Sequence, residues 1–270
     1  MFEGKGGRLM ATITASPPSG SAVPTSLREG AAWRTMLRKV LLACGVLSSV
    51  LYVGAEVYAW SRYPGYSPVA QAFSELLAEG APTRAFLVAV AGAPYNLLVA
   101  ALGVGVCLAA ARRPVARLTG ALLVLYALLS YLGGTVFQMD QREIEGSART
   151  AVHERATAVM VLAMLLAMGA GAFLHGWRFR WYSLGTLLTV VVFAGLTFQQ
   201  VALLAANAPA PWLGVIERVG IYAWMLWVAV LALSLWPTRV GWPRMGSSTR
   251  GAAPRVGSGR GPSGVATVPR

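Results

Sequence analysis

A chain of 270 residues that is 56% hydrophobic and only 12% charged, with a mean hydropathy of +0.58, carries too little charge for a soluble domain of its size. Its net charge of +13 invites a nucleic-acid reading, but the basic residues sit mostly in alternate loops and in both tails, the pattern of membrane orientation, so no nucleic-acid partner is expected. The two cysteines, Cys44 and Cys107, lie inside apolar runs, which argues against a disulfide framework.

Residues 1–35 are rich in Gly, Ser, Pro and Thr and read as a disordered cytoplasmic tail. The stretch "MLRKVLLACGVLSSVLYVGAEVYAW", from Met36, reads as a natural protein start, with the upstream segment a tail or a gene-model extension. No cleavable signal peptide is expected, because the first apolar run is too long for a signal core and lacks a clear small-residue cleavage site. Six apolar runs follow, at about 39–60, 86–111, 117–137, 153–175, 182–206 and 216–236. Each is long enough to cross roughly 30 Å of hydrocarbon, and in lipid each must satisfy its own backbone as a helix. The expected fold is therefore all-α: a polytopic integral membrane bundle of six transmembrane helices over residues 36–237. A basic, disordered cytoplasmic tail would follow over 238–270. Seventeen Lys and Arg fall on the side of the two tails and the second and fourth loops, against six on the other side. This places both termini in the cytoplasm and the protein in the cytoplasmic (inner) membrane.

The longest polar interruption, "SRYPGYSPVAQAFSELLAEGAPTR" (Ser61–Arg84), separates the first two runs. Ser67 is placed to cap a helix, with Pro68 at its first position and Gly80 and Pro82 to stop it. Val69, Phe73, Leu76 and Leu77 share one helical face, whereas Gln71, Glu75 and Glu79 fall elsewhere. The expectation is a short extracytoplasmic amphipathic helix. It would serve either as a lid over the bundle or as a plug with a solvated acidic face.

Polar side chains inside the runs point to the bundle interior, because lipid exposure is costly. Gly45, Ser49, Tyr52 and Glu56 share a face of the first run. Asn96 lies roughly 15 Å deep in the second, beside Pro94, which is expected to kink it. Tyr126, Ser130, Gly134 and Gln138 line up in the third. Glu56 needs a cationic partner, and Arg155 and Arg218 are the candidates. Ala163, Ala167 and Gly171 at spacing four read as close helix packing. Most polar positions belong to the outer half, which suggests a pocket open to that side. Glu56, Asn96, Glu217 and Arg218 are its candidate ligand-binding residues.

The outer segment "FQMDQREIEGSARTAVHER" offers Asp140, Glu143, Glu145, His153 and Glu154. Asp140, His153, Ser74 and Glu75 would form a hydrolase-like set if they converged. There is no Gly-x-Ser-x-Gly elbow, no phosphate loop and no His-Glu-x-x-His pattern. No metal is expected, since the second histidine, His175, sits at the opposite membrane face. No cofactor is expected either: haem would want paired intramembrane histidines, and retinal an intramembrane lysine.

"YPGYSPVAQAFSELLAEGAPTR" resembles the first outer loop of the bacterial and archaeal membrane proteins grouped as domain of unknown function 998. "TVFQMDQREIEGSARTAVHERAT" resembles that family's second outer loop, and "GVIERVGIYAWMLWVAVLAL" its last helix, entered through a Glu-Arg pair. The resemblance covers about residues 36–237 and marks Ser74, Glu75, Asp140, His153, Glu217 and Arg218. It departs at "FQMD", where a proline is expected near the acid. The family has no established activity, so the resemblance implies fold and membrane location only. Three functions follow from the residues. The first is binding or sensing of a lipid or small molecule, with membrane lipids as partners. The second is transport through Glu56 and Asn96. The third is membrane-embedded hydrolysis at Asp140 and His153.

Overall fold

A computed structural model describes residues 25–109, 112–141 and 147–236. The chain is a multi-pass helical membrane protein, with six helices long and apolar enough to cross a bilayer. These are α1 (Thr25–Arg62), α2 (Arg84–Ala109), α3 (Pro114–Thr135), α4 (Ala148–Gly171), α5 (Trp177–Ala205) and α6 (Leu213–Leu235). The first begins at Thr25, inside the segment read as a tail. The remainder of that tail, the tail after 237 and the acidic positions Glu143 and Glu145 lie outside the described residues.

The large side chains divide by face. Leu42, Leu87, Val99, Leu102, Leu123, Met168, Trp224, Trp227 and Leu231 form a core with almost no exposure, while Leu47, Leu97, Leu128, Leu162, Leu188 and Leu226 stay more than half exposed. That outward apolar belt is what a lipid solvent requires. Exposed Trp33, Trp177, Trp181 and Trp212 sit near helix ends, where tryptophan in membrane helices concentrates. Small residues bring backbones together where the helices pack most closely. A Cβ on Gly120 would lie 2.4 Å from the Cys107 Sγ and 2.4 Å from the Gly103 carbonyl oxygen, and one on Gly171 would lie 2.6 Å from the Trp227 ring. With Ala163 and Ala167 buried beside it, Gly171 makes the spacing-four stripe of α4 a packing surface. The α5 helix is peripheral: only 6% of its most apolar stretch is buried, against 44% for α6, on which it mainly packs.

The two ends of the bundle differ. At one end the Arg113 guanidinium donates to the Leu174 carbonyl across the short loops (3.0 Å), and burial together with Arg113 holds His175 below its ordinary pKa. At the other end, called here the capped end, the three longer connections meet. The Glu79 N–H donates to the Met139 carbonyl (3.1 Å) and the Val215 N–H to the Val69 carbonyl (3.1 Å). Within α2, Val88–Gly92 forms a π-helical turn just ahead of Pro94. Proline lacks an N–H and its ring crowds the carbonyl four residues back, and the wider turn relieves that crowding.

The expected short helix between α1 and α2 is present, but as a 3₁₀ helix and over fewer residues than the pattern suggests. Residues 67–71 form a turn, and Phe73–Leu77 a five-residue 3₁₀ helix with Phe73, Glu75 and Leu76 buried. The cause is competition for the backbone. An α-helix here would pair the Pro68 carbonyl with the Ala72 N–H, Val69 with Phe73, and Gln71 with Glu75. Instead Arg218 takes the Pro68 and Gln71 carbonyls (2.8 and 2.9 Å), and the Val215 N–H takes the Val69 carbonyl. The Ala72 N–H goes to the Glu75 carboxylate (2.9 Å) and the Phe73 N–H to Glu217 (2.6 Å). Glu75 is only 6% exposed, so the segment has no solvated acidic face there; Glu79 does face outward.

Replacing Gly120 by Ala is expected to cost about 1–3 kcal/mol through overpacking against α2. Gly54→Ala, where nothing lies within 4 Å, should be neutral or slightly stabilising. Thermal unfolding of both variants in the same detergent checks the pair; equal melting points would refute the close α2–α3 contact.

Candidate functional site

The capped end is organised by one buried arginine. Arg218 stands one turn into α6 and is 6% exposed, while Glu56 on α1 is fully buried. Arg218 Nε lies 2.8 Å from Glu56 Oε1. Nη1 donates to the Pro68, Gln71 and Gly214 carbonyls, and Nη2 to the Tyr66 hydroxyl (2.7 Å). The guanidinium also lies over Trp60 and Tyr66, 5.6 and 5.8 Å from their ring centres. Tyr222 donates to the second oxygen of Glu56 (2.9 Å). The planar five-donor fork is what allows one side chain to serve two helices and a loop at once. The Tyr66 hydroxyl in turn donates to the Ala72 carbonyl (2.8 Å), and burial holds its phenol above the ordinary range against the opposing pull of Arg218. Gly214 makes the approach possible: a Cβ there would lie 2.4 Å from both the Pro68 and the Gln71 carbonyl oxygens.

Beside this knot a cavity of about 1170 Å³ runs down the bundle. One face of α2 (Val88, Ala91, Gly92, Tyr95, Asn96) lines it, at the spacing of neighbouring helical turns. Its wall on α4 extends from Ala151 to Met164, about 20 Å along the helix axis. Around the capped end the lining is polar, with Ser74, Glu75, Asp140, Ser147, His153, Glu154, Asn207 and Glu217. Deeper, it passes the hydroxyl pair of Tyr95 and Tyr126 (3.0 Å) to Met164, Val190 and Met225. The wall on the α5 side is Val190, Ala194, Thr197, Phe198 and Val201.

The candidate residues divide into two groups. Ser74, Glu75, Asn96, Asp140, His153 and Glu217 all line the cavity, whereas Glu56 and Arg218 pair with each other outside its lining. Sharing a cavity does not make the first group a catalytic set. Nδ1 of His153 bonds the Phe137 carbonyl (2.6 Å) and Nε2 faces the Thr157 hydroxyl (3.5 Å), so neither nitrogen is turned to Asp140 or Ser74. Asp140 accepts from the Ser147 hydroxyl and pairs with Arg149 (3.6 Å), while Ser147 caps α4. These contacts give Asp140 a helix-capping role. Glu217 holds the Phe73 N–H, and Glu75 holds the Ala72 N–H and the Gln71 amide. Among the described residues, no group of three or more His, Cys, Asp or Glu converges to hold a metal ion.

The Asn96 amide donates to the Gly92 carbonyl (2.7 Å), while its oxygen, buried, meets no hydrogen-bond donor among the described residues. Sequence reasoning missed Tyr95, Thr197 and Asn207 as lining residues. Tyr95 sat next to a flagged position, but an aromatic in an apolar run reads as core.

The chain belongs to the family described as Protein of unknown function (DUF998), which matches residues 46–234. No curated protein and no solved structure matches the chain.

Removing one partner of the buried pair leaves the other charge uncompensated. Arg218→Met is therefore expected to cost about 3–5 kcal/mol, and the Glu56→Gln/Arg218→Met double variant less than the sum of the two single changes. Denaturant unfolding in micelles reads the cycle; strict additivity would show that the pair is not coupled.

Proposed function

We propose that this DUF998 protein binds a single amphiphilic molecule, a lipid or lipid-like compound, within the bundle. The cavity carries the reading. It exceeds the ~300–1,000 Å³ typical of small-molecule pockets, and it joins a polar rim to an apolar shaft within a total span of about 20 Å. That division of surface matches a headgroup and a hydrocarbon chain. The peripheral α5, which forms one wall, leaves the least protein between the shaft and the bilayer. The cap formed by residues 66–77 closes over the rim and is fastened by Arg218 and Glu217. Hydrolysis is the weaker reading, because His153 is oriented by a backbone carbonyl and by Thr157. Transport through Glu56 is weaker too, because its carboxylate is taken up by Arg218 and Tyr222. The excess of Lys and Arg in the tails and short loops supports a cytoplasmic-membrane protein with both termini and the short-loop end in the cytoplasm.

Two experiments test this. Mass spectrometry of the gently extracted protein should find one amphiphile retained per chain, lost in the cavity-filling variant Ala156→Phe/Ala194→Phe at an unchanged melting temperature. Identical bulk lipid in both proteins would refute binding in the shaft. For orientation, in a chain with Cys44 and Cys107 replaced by Ala, a membrane-impermeant maleimide should label Glu79→Cys in intact cells and spare Arg113→Cys. The reverse pattern would invert the topology.

A further inference from the structure

We propose that the amphiphile is a membrane lipid that enters the cavity sideways, from the bilayer, between the capped-end halves of α4 and α5. This rests on the amphiphile-binding reading and specifies where its ligand comes from and how it enters. Two independent observations point the same way. The first is the packing of the two helices. Of the six junctions between neighbouring helices around the bundle, that between α4 and α5 is the loosest. The buried residues of α4 are Ala163, Met164, Ala167, Met168 and Gly171, and those of α5 are Ser183 and Val190, so both helices are packed over the half next to their short loop. There a Cβ on Gly169 would stand 3.8 Å from Leu187, and the Trp227 indole N–H donates to the Ser183 hydroxyl (3.0 Å). Over the capped-end half neither helix has a buried residue. On its other side α5 stays fastened: a Cβ on Gly220 of α6 would stand 3.6 Å from Phe193, and Val201 and Leu204 pack against Ala210 and Leu213. The loose seam is therefore the one on the α4 side.

The second observation is that the cavity meets this seam. Thr157, Met160 and Val161 of α4 and Ala194, Phe198 and Val201 of α5 line it, and none of the six is buried. Phe198 lines the cavity and is still 39% exposed, as a side chain at a mouth would be. Ala158, which is exposed, and Phe198 each lie about three turns toward the capped end from the contact of Gly169 with Leu187. They stand at one height, on the two faces that meet lower down. The water side is built differently. There the two long connections are joined through Gln141 and Glu79 (3.1 Å), and the first is fastened to α6 by Arg218 and Glu217. A hydrocarbon chain that passes through the seam stays among apolar groups, whereas one that passes the tied connections must cross water and the polar rim.

The chain with Cys44 and Cys107 replaced by Ala tests this in phosphatidylcholine vesicles that contain a phosphatidylcholine with a photoreactive diazirine on one acyl chain. After illumination, peptide mass spectrometry should find label on Leu129 of α3 and Ile221 of α6, which line the cavity, and on Leu97 of the outward belt. Joining Ala158→Cys to Ala202→Cys with a bifunctional maleimide, in micelles before reconstitution, closes the seam at two exposed positions outside the lining. It is expected to lower the label on Leu129 and Ile221 about tenfold and to leave Leu97 unchanged. Joining Glu79→Cys to Gln141→Cys in the same way ties the water side and should leave the label at every one of these positions unchanged. Interior label that survives the seam tether, or that is lost with the water-side tether, would overturn the lateral route while amphiphile binding stands. If the untethered chain carries no interior label, the amphiphile reading itself fails. Should the seam tether lower the melting temperature, Ala158→Trp/Ala202→Trp narrows the same gap without a tether and should cut the interior label several-fold; an unchanged label would overturn the route.

Discussion

The buried contact between Arg218 and Glu56 is the constraint from which the capped end follows. Two charges inside an apolar bundle are tolerated only when each is paired and its remaining hydrogen-bonding capacity is taken up. Glu56 meets that demand with Arg218 and Tyr222. Arg218 meets it by recruiting the carbonyls of the loop that follows α1. Neutralising one carboxylate on α1 thus fixes α6 against α1 and draws residues 66–73 down onto the bundle. The 3₁₀ conformation of Phe73–Leu77 is a result of this recruitment, because the carbonyls that an α-helix would use are already occupied.

The cap divides labour between two neighbouring residues of α6. Arg218 faces away from the cavity and holds the turn, while Glu217 lines it and holds the start of the 3₁₀ helix through the Phe73 N–H. The rim of the cavity is therefore built on backbone held by side chains of a packed helix, which gives a loop the positional precision of the bundle. The second connection is tied in similarly. Ser147 caps α4, Asp140 accepts from Ser147, and Arg149 bridges Asp140 to Glu79 of the first connection.

Much of this was legible in the sequence, and the limit has a physical cause. Hydrophobic run length gives the six spans directly, since the bilayer sets one length for every helix. The stripe Gly45, Ser49, Tyr52 and Glu56 does face the interior: Gly45 abuts Leu102, Ser49 donates to the Met225 carbonyl (3.0 Å), and Glu56 finds one of its two candidate arginines. Helical periodicity carries that information. The 67–77 segment misled because its spacing fits an amphipathic helix, and local pattern is silent about a guanidinium arriving from 150 residues away. Pro94 was legible as a disturbance, but the π turn that absorbs it lies upstream, at Val88–Gly92. Asp140 and His153 drew attention as chemistry because of their residue types. Their actual partners, a helix cap and a backbone carbonyl, are set by the fold of the connection they belong to.

The peripheral position of α5 has a mechanical consequence. Five helices hold one another through close side-chain and backbone contact, but α5 rests mainly on α6, less closely on α4, and turns most of its surface outward. Widening or narrowing the shaft at that wall is work done against the lateral pressure of the bilayer, with little of it done against a protein core. Acyl-chain order and membrane tension thereby become variables of the cavity's dimensions.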